Sequence, residues 1–194
     1  MLDIYFVTSN SSKVTSLRER LNTNKYEVIQ TTLQVPEIQA ATALDVARHK
    51  ATYAFDKLQK PLVVQDSSFH INALLGFPGP YIKYINETIG IEGLLQLMQG
   101  AGDRTAYFEQ ALIYMDAGGK LHQFTATSES GTIALEAYDA NYKHSWSELW
   151  RIYKPGEDTK TLAELFESGK RKTKDIIKDD SELAQFVRWL ELNL

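Results

Sequence analysis

The sequence contains no cysteine. A disulfide framework, a thiol nucleophile and a thiolate zinc site are therefore excluded. It also lacks any apolar run long enough to cross a bilayer. The first apolar run ends at Val7 and has no basic leader of the kind that opens a signal peptide. The expectation is a cytoplasmic protein with no membrane partner. Positive charge is not in excess. The net charge of −4 argues against a broad nucleic-acid face but leaves room for a small basic pocket. The four histidines, His49, His70, His122 and His144, form no i, i+4 pair, which argues against a zinc site. Ser67 and Ser68 have no Gly-x-Ser-x-Gly elbow around them, and no Walker A loop occurs. No repeat, linker or low-complexity segment divides the chain.

What is present is ordinary for one globular domain, taken as residues 1–194. Apolar residues make up 43% of the 194 and charged residues 24%. Leu2 to Val7 reads as a buried strand, and Val14, Leu17 and Leu21 follow at helical spacing. Tyr26 to Leu33 reads as a second strand and Ala40 to Lys57 as an amphipathic helix. Pro61 to Val64 reads as a short strand that ends at Gln65-Asp66-Ser67-Ser68. Gly76-Phe77-Pro78-Gly79-Pro80 is a rigid turn, and a helix is expected over Ile91 to Met98. Ala106 to Met115 and Lys120 to Thr127 pair around Asp116-Ala117-Gly118-Gly119, a hairpin signal. Gly131 to Glu136 reads as another strand. Leu183, Phe186, Val187 and Leu190 mark a C-terminal helix. The class is α/β, a mixed sheet covered by helices.

Three stretches hold candidate chemistry. Thr8-Ser9-Asn10-Ser11-Ser12-Lys13 joins a strand to a helix. It reads either as an anion site, with backbone N–H groups, hydroxyls, Asn10 and Lys13 facing a phosphate, or as a plain helix cap with a solvated lysine. Asp66, just past an apolar strand, reads either as a carboxylate for Mg²⁺ or water at the carboxyl edge of a sheet or as a turn-forming residue. Glu37 reads as a second magnesium carboxylate or as an exposed loop glutamate.

Together and in order, these stretches resemble one family. The pattern is Thr8-Ser9-Asn10-x-x-Lys13, Pro36-Glu37-Ile38-Gln39, Lys50-Ala51, Val64-Gln65-Asp66-Ser67, Gly76-Phe77-Pro78-Gly79-Pro80-Tyr81-Ile82-Lys83 and Asp103-Arg104-x-Ala106-Tyr107-Phe108. It is similar to the inosine triphosphate pyrophosphatases, which act on non-canonical purine nucleotides. The likeness is densest from Ile4 to Phe108. It implies a long twisted mixed sheet flanked by helices, with two lobes around a central nucleotide cleft, and a homodimer. It implies Mg²⁺-dependent hydrolysis of ITP-, XTP- or dITP-type substrates to the monophosphate and pyrophosphate, with Mn²⁺ as a substitute ion. Thr8, Ser9, Asn10 and Lys13 match the triphosphate loop and Glu37 a metal carboxylate. Asp66 matches the catalytic aspartate and metal ligand, and Ser67 a substrate contact. Trp146 matches a base-stacking position and Lys170 a conserved lysine. Gly76 to Pro80 matches a cleft wall or dimer contact.

Two departures stand out. Gln65 occupies a position that is usually acidic in the family. The purine-reading segment reads Ser145-Trp146-Ser147-Glu148, and the later Ser-His-Arg position falls near Lys174-Asp175-Ile176. A base edge is discriminated strongly only where its hydrogen-bonding partners exist. The alternatives to the purine enzyme are a pyrophosphatase with another base preference, a nucleotide-binding protein with weakened catalysis, and a structural or interaction protein on the same fold.

Overall fold

The computed structural model describes residues 1–139, 147–170 and 180–194. Its strands form one mixed sheet with helices packed against it, and the chain divides into two compact units. The first unit comprises residues 1–67, 110–126 and 177–194, and the second residues 68–109 and 127–176.

In the first unit, strand β1 (Leu2–Val7) pairs in parallel with β2 (Tyr26–Thr31) on one side. On the other it pairs with the start of β3 (Leu62–Ile71), through Tyr5↔Leu62 and Phe6↔Val63. Helices α1 (Ser11–Arg18) and α2 (Ala43–Leu58) connect these strands. β5 (Thr105–Met115) continues the sheet, and β6 (Leu121–Thr127) pairs with β5. The C-terminal helix of the described residues, Glu182–Asn193, is named α6 below.

Side chains alternate across a strand, so each strand feeds two cores. Ile4, Phe6, Val28, Val63, Leu112 and Tyr114 pack with Val14 and Leu17 of α1 and with Leu183, Phe186 and Leu190 of α6. Val7, Leu62, Val64, Ala111, Ile113 and Met115 pack instead with Ala43, Ala47, Ala51 and Ala54 of α2. The alanine stripe keeps α2 a strong helix former while letting it lie close to the sheet. Thr42 caps α2 by accepting from the Asp45 N–H at 3.1 Å.

The second unit holds β4 (Pro78–Gly79), α3 (Ile82–Glu87), α4 (Gly90–Leu97), β7 (Gly131–Ile133), β8 (Tyr153–Lys154) and α5 (Leu162–Glu167). β4 runs antiparallel to the end of β3, and β7 lies antiparallel between β5 and β8. The Gly-Phe-Pro-Gly-Pro turn therefore contributes a short strand. Phe69, Phe108 and Tyr153 pack in tilted and edge-to-face contacts at the core of this unit, with ring centroids 4.4 to 5.6 Å apart. Arg104 is a structural residue here. Its guanidinium donates to the carbonyls of Ile133, Met98 and Ala134 at 2.9, 3.0 and 2.7 Å.

Most elements lie within a few residues of their expected bounds. β3 does not. The strand was expected to end at Val64, but it continues through Gln65-Asp66-Ser67-Ser68 to Ile71. The polar residues stay in the strand because Gln65, Asp66 and Ser68 each find a side-chain partner there, in Glu182, Lys50 and His70. β7 is also shorter than expected, closing at Ile133.

Candidate functional site

The site begins where β1 ends. Asn10 is the N-cap of α1, its Oδ1 accepting from the N–H groups of Ser12 at 3.0 Å and Lys13 at 3.4 Å. Thr8 Oγ1 accepts from the Asn10 N–H at 3.0 Å. The helix-cap reading of this loop is therefore right about Asn10. The oxygen of its side chain is committed, and only its amide N–H groups remain to face an anion. The solvated-lysine reading fails for Lys13, which turns inward and donates from Nζ to the Gln65 carbonyl at 2.8 Å.

Asp66 sits inside β3 rather than in a turn after it. β3 overruns β1, because the two pair only through Leu62 and Val63. Carried on, their register sets Asp66 level with Ser9, beyond the carboxyl end of β1. Asp66 thus keeps the expected place at a strand edge, but on a longer strand. Strand parity sends Asp66 to the α2 face with Val64. There Lys50 Nζ, from α2, donates to Oδ1 at 2.7 Å. The other oxygen, Oδ2, is buried with no hydrogen-bond partner among the described residues. A buried carboxylate oxygen left open is costly unless something completes it.

The same parity sends Gln65 to the opposite face with Val63, toward α1 and α6. Its Nε2 donates to Glu182 Oε1 at 2.5 Å, and both residues are buried. Burial raises the Glu182 carboxyl above the ordinary range, against the opposing pull of the Gln65 bond and the charges of Lys13 and Arg20. Burial likewise lowers the Lys13 ammonium. Asp66 and Glu182 oppose that fall, and Lys50 adds to it. Two lysines and two carboxylates therefore share one region of the first unit.

The remaining candidates are spread. Ser67 is half-buried beside Asp66, Ser9 is exposed, and Glu37 lies exposed on the loop between β2 and α2. Lys170 is exposed in the second unit. Trp146 lies outside the described residues, as do Lys174, Asp175 and Ile176. Lys50 and Glu182 are the residues that sequence reasoning missed. Lys50 was visible as part of a motif, but nothing in helical spacing pointed it at Asp66. Glu182 is 117 residues from Gln65, and no local pattern joins them.

Ser68, His70 and Glu109 cluster in the second unit, which invites a nucleophile reading. Their geometry rejects it. Ser68 Oγ and Glu109 Oε2 both meet His70 Nε2, at 2.9 and 3.2 Å. A relay needs the hydroxyl and the carboxylate on opposite ring nitrogens.

Among the described residues no three or more histidines, aspartates or glutamates group as metal ligands. Magnesium needs fewer, since one or two carboxylates suffice when phosphate oxygens and water complete the shell. The open Oδ2 of Asp66 fits such an ion.

The Ham1 family model matches residues 4–178. A Pyrococcus horikoshii protein named dITP/XTP pyrophosphatase is 34% identical, covering 100% of this chain and 99% of its own length. One of the same name from Thermococcus kodakarensis is 35% identical, covering 97% of each. Among solved structures, the Staphylococcus aureus Ham1 protein aligns with a TM-score of 0.77 at 22% identity, over 99% of this chain and 100% of that one. The Coxiella burnetii HAM1 protein aligns with a TM-score of 0.76 at 22% identity, over 99% and 98%. The chain belongs to the Ham1 family. The family resemblance read from the motifs is borne out, and it reaches well past Phe108.

Proposed function

We propose that this chain hydrolyses non-canonical purine nucleoside triphosphates of the dITP and XTP type to the monophosphate and pyrophosphate. Its relatives carry an enzyme's name along essentially their whole length, and this chain is a nucleoside triphosphate diphosphatase in the same sense. The observation that carries the site assignment is the open Oδ2 of Asp66, held beside Lys50 and within the field of the inward-turned Lys13.

The residues divide the work. Lys13 and the Thr8–Asn10 loop take the triphosphate, with the start of α1 adding its dipole. Lys13 spends one N–H on the Gln65 carbonyl, which leaves two for phosphate oxygens. Asp66 orients the attacking water or accepts its proton. Lys50 fixes the carboxylate so that Oδ2 faces the reaction. Ser67 contacts the substrate beside it. Asp66 and Glu37 are the residues that would hold Mg²⁺. When bound, the ion neutralises charge on the phosphoryl oxygens.

Trp146 and Lys170 are kept as base and phosphate contacts. The chain is taken as a homodimer, and exposed Leu75, Phe77, Tyr81 and Tyr84 around the Gly-Phe-Pro-Gly-Pro turn support that reading. Light scattering tests it, and a monomer mass at micromolar concentration contradicts it. No helix among the described residues is long and apolar enough to cross a membrane.

The test of function is pyrophosphate release from ITP, XTP, dITP and the four common triphosphates, with Mg²⁺ or Mn²⁺. Turnover strongest on the first three supports the proposal. Turnover on none of them overturns it.

A further inference from the structure

Gln65 and Glu182 make a buried pair that the chemistry above does not use. Gln65 is 5% exposed and Glu182 3%. Glu182 opens α6, whose N-cap Ser181 accepts from the Ala184 N–H at 3.2 Å. Leu183, Phe186 and Leu190 hold α6 against the core that also takes Val14 and Leu17 of α1. The carboxylate is therefore delivered by a firmly packed helix.

Stability does not explain the pair. A buried amide–carboxylate contact replaces two apolar side chains that would pack there at no desolvation cost. Its geometry suggests another use. Gln65 is bonded at both ends, its side chain to Glu182 and its backbone carbonyl to Lys13 Nζ. The second atom of its amide, Oε1, is buried and has no partner among the described residues. Among the described residues, Glu182 is thus the anchor of the Gln65 side chain. The flipped amide would set Oε1 against the Glu182 oxygen, so Nε2 is assigned as the donor.

We propose that Glu182 is a positioning residue: through Gln65 it fixes the carbonyl that aims Lys13 at the substrate phosphates. The proposal rests on the reading of Lys13 as a phosphate-binding residue. A long flexible lysine contributes to binding only when its ammonium is held where the phosphate arrives. The Gln65 carbonyl does the holding, and Glu182 holds the Gln65 side chain. What matters is one donor facing one acceptor.

The experiment is calorimetry of tripolyphosphate binding, with Mg²⁺, to the full chain and its variants. Thermal melting confirms folding of each. Glu182→Gln retains an acceptor and is expected to bind within about threefold of the parent. Glu182→Ala removes it and is expected to bind about tenfold more weakly, the scale of one misplaced charged hydrogen bond. The double variant Gln65→Met/Glu182→Met replaces both partners with apolar groups of similar length. Such replacements preserve stability, so it carries the test if Glu182→Ala does not fold. It is expected to bind tripolyphosphate as weakly as Glu182→Ala. Steady-state kinetics should place the loss in KM more than in kcat. If the folded double variant binds like the parent, Glu182 is only structural and the proposal is overturned. If the parent itself does not bind tripolyphosphate, the phosphate-site reading fails and takes this inference with it.

Discussion

Lys50 reaches from α2 to donate to Oδ1 of Asp66 at 2.7 Å, leaving Oδ2 buried and open. The pair is partly buried, with side-chain exposures of 23% and 18%. Removing one member strands the other. Lys50→Met is expected to lower kcat/KM by about tenfold or more, because the carboxylate loses its fixed orientation. Loss of stability should stay within about 3 kcal/mol. Steady-state kinetics beside urea unfolding would check both. Unchanged kinetics would separate Lys50 from the site.

Restoring an acidic residue at position 65 looks from the sequence like a repair. The structure makes the opposite prediction. Gln65→Glu would set two carboxylates against each other where the amide now donates to Glu182. Breaking a buried pair in this way costs about 3 kcal/mol. Urea denaturation at neutral pH should show that loss, and combining Gln65→Glu with Glu182→Gln should recover most of it. A fully stable single variant would contradict the buried pairing.

β3 shows what the sequence could and could not say. Its apolar half was legible from Leu62-Val63-Val64. Its polar half read as a turn because Gln, Asp and Ser are turn formers in isolation. They remain in the strand because Gln65 meets Glu182, Asp66 meets Lys50, and Ser68 meets His70. His70 lies only two residues from Ser68, but Lys50 and Glu182 lie 16 and 117 residues from their partners, too far to be read from spacing. Lys13 and Asp66 stood out in the sequence as candidates, one in a polar loop between a strand and a helix, the other a carboxylate next to an apolar strand. Their supports did not, since Lys50 and Glu182 owe their roles to which face of β3 each residue takes.

Arg104 belongs to a motif shared with the family, yet its guanidinium serves three backbone carbonyls of the second unit. Arg104→Lys keeps the charge and loses the planar fork. A destabilisation of about 1–3 kcal/mol is expected by denaturant unfolding, from carbonyls left without donors. Turnover per folded molecule should be retained. A stable variant with impaired kinetics would move Arg104 into the site.

Tyr114 is buried among Phe186, Trp189 and His122. Burial, with a smaller contribution from Asp116, pushes its hydroxyl up to about 12. A raised folded-state value means the native protein keeps a proton that the unfolded chain releases. The contribution is complete below about pH 10, the unfolded value, and is lost as pH rises from there toward 12. It amounts to about 2–3 kcal/mol. Parent stability should therefore fall more steeply over that window than that of Tyr114→Phe. Parallel stability curves would show that Tyr114 ionises as freely in the folded state.

The central claim is that Asp66 does the chemistry with its open oxygen. Asp66→Asn keeps the size of the side chain and removes the carboxylate. The decisive measurement is pyrophosphate release from dITP and XTP by the folded variant with Mg²⁺, beside its affinity for tripolyphosphate. A fall in kcat of about 100-fold or more is predicted, with tripolyphosphate still bound through Lys13. Turnover close to that of the parent would contradict the account.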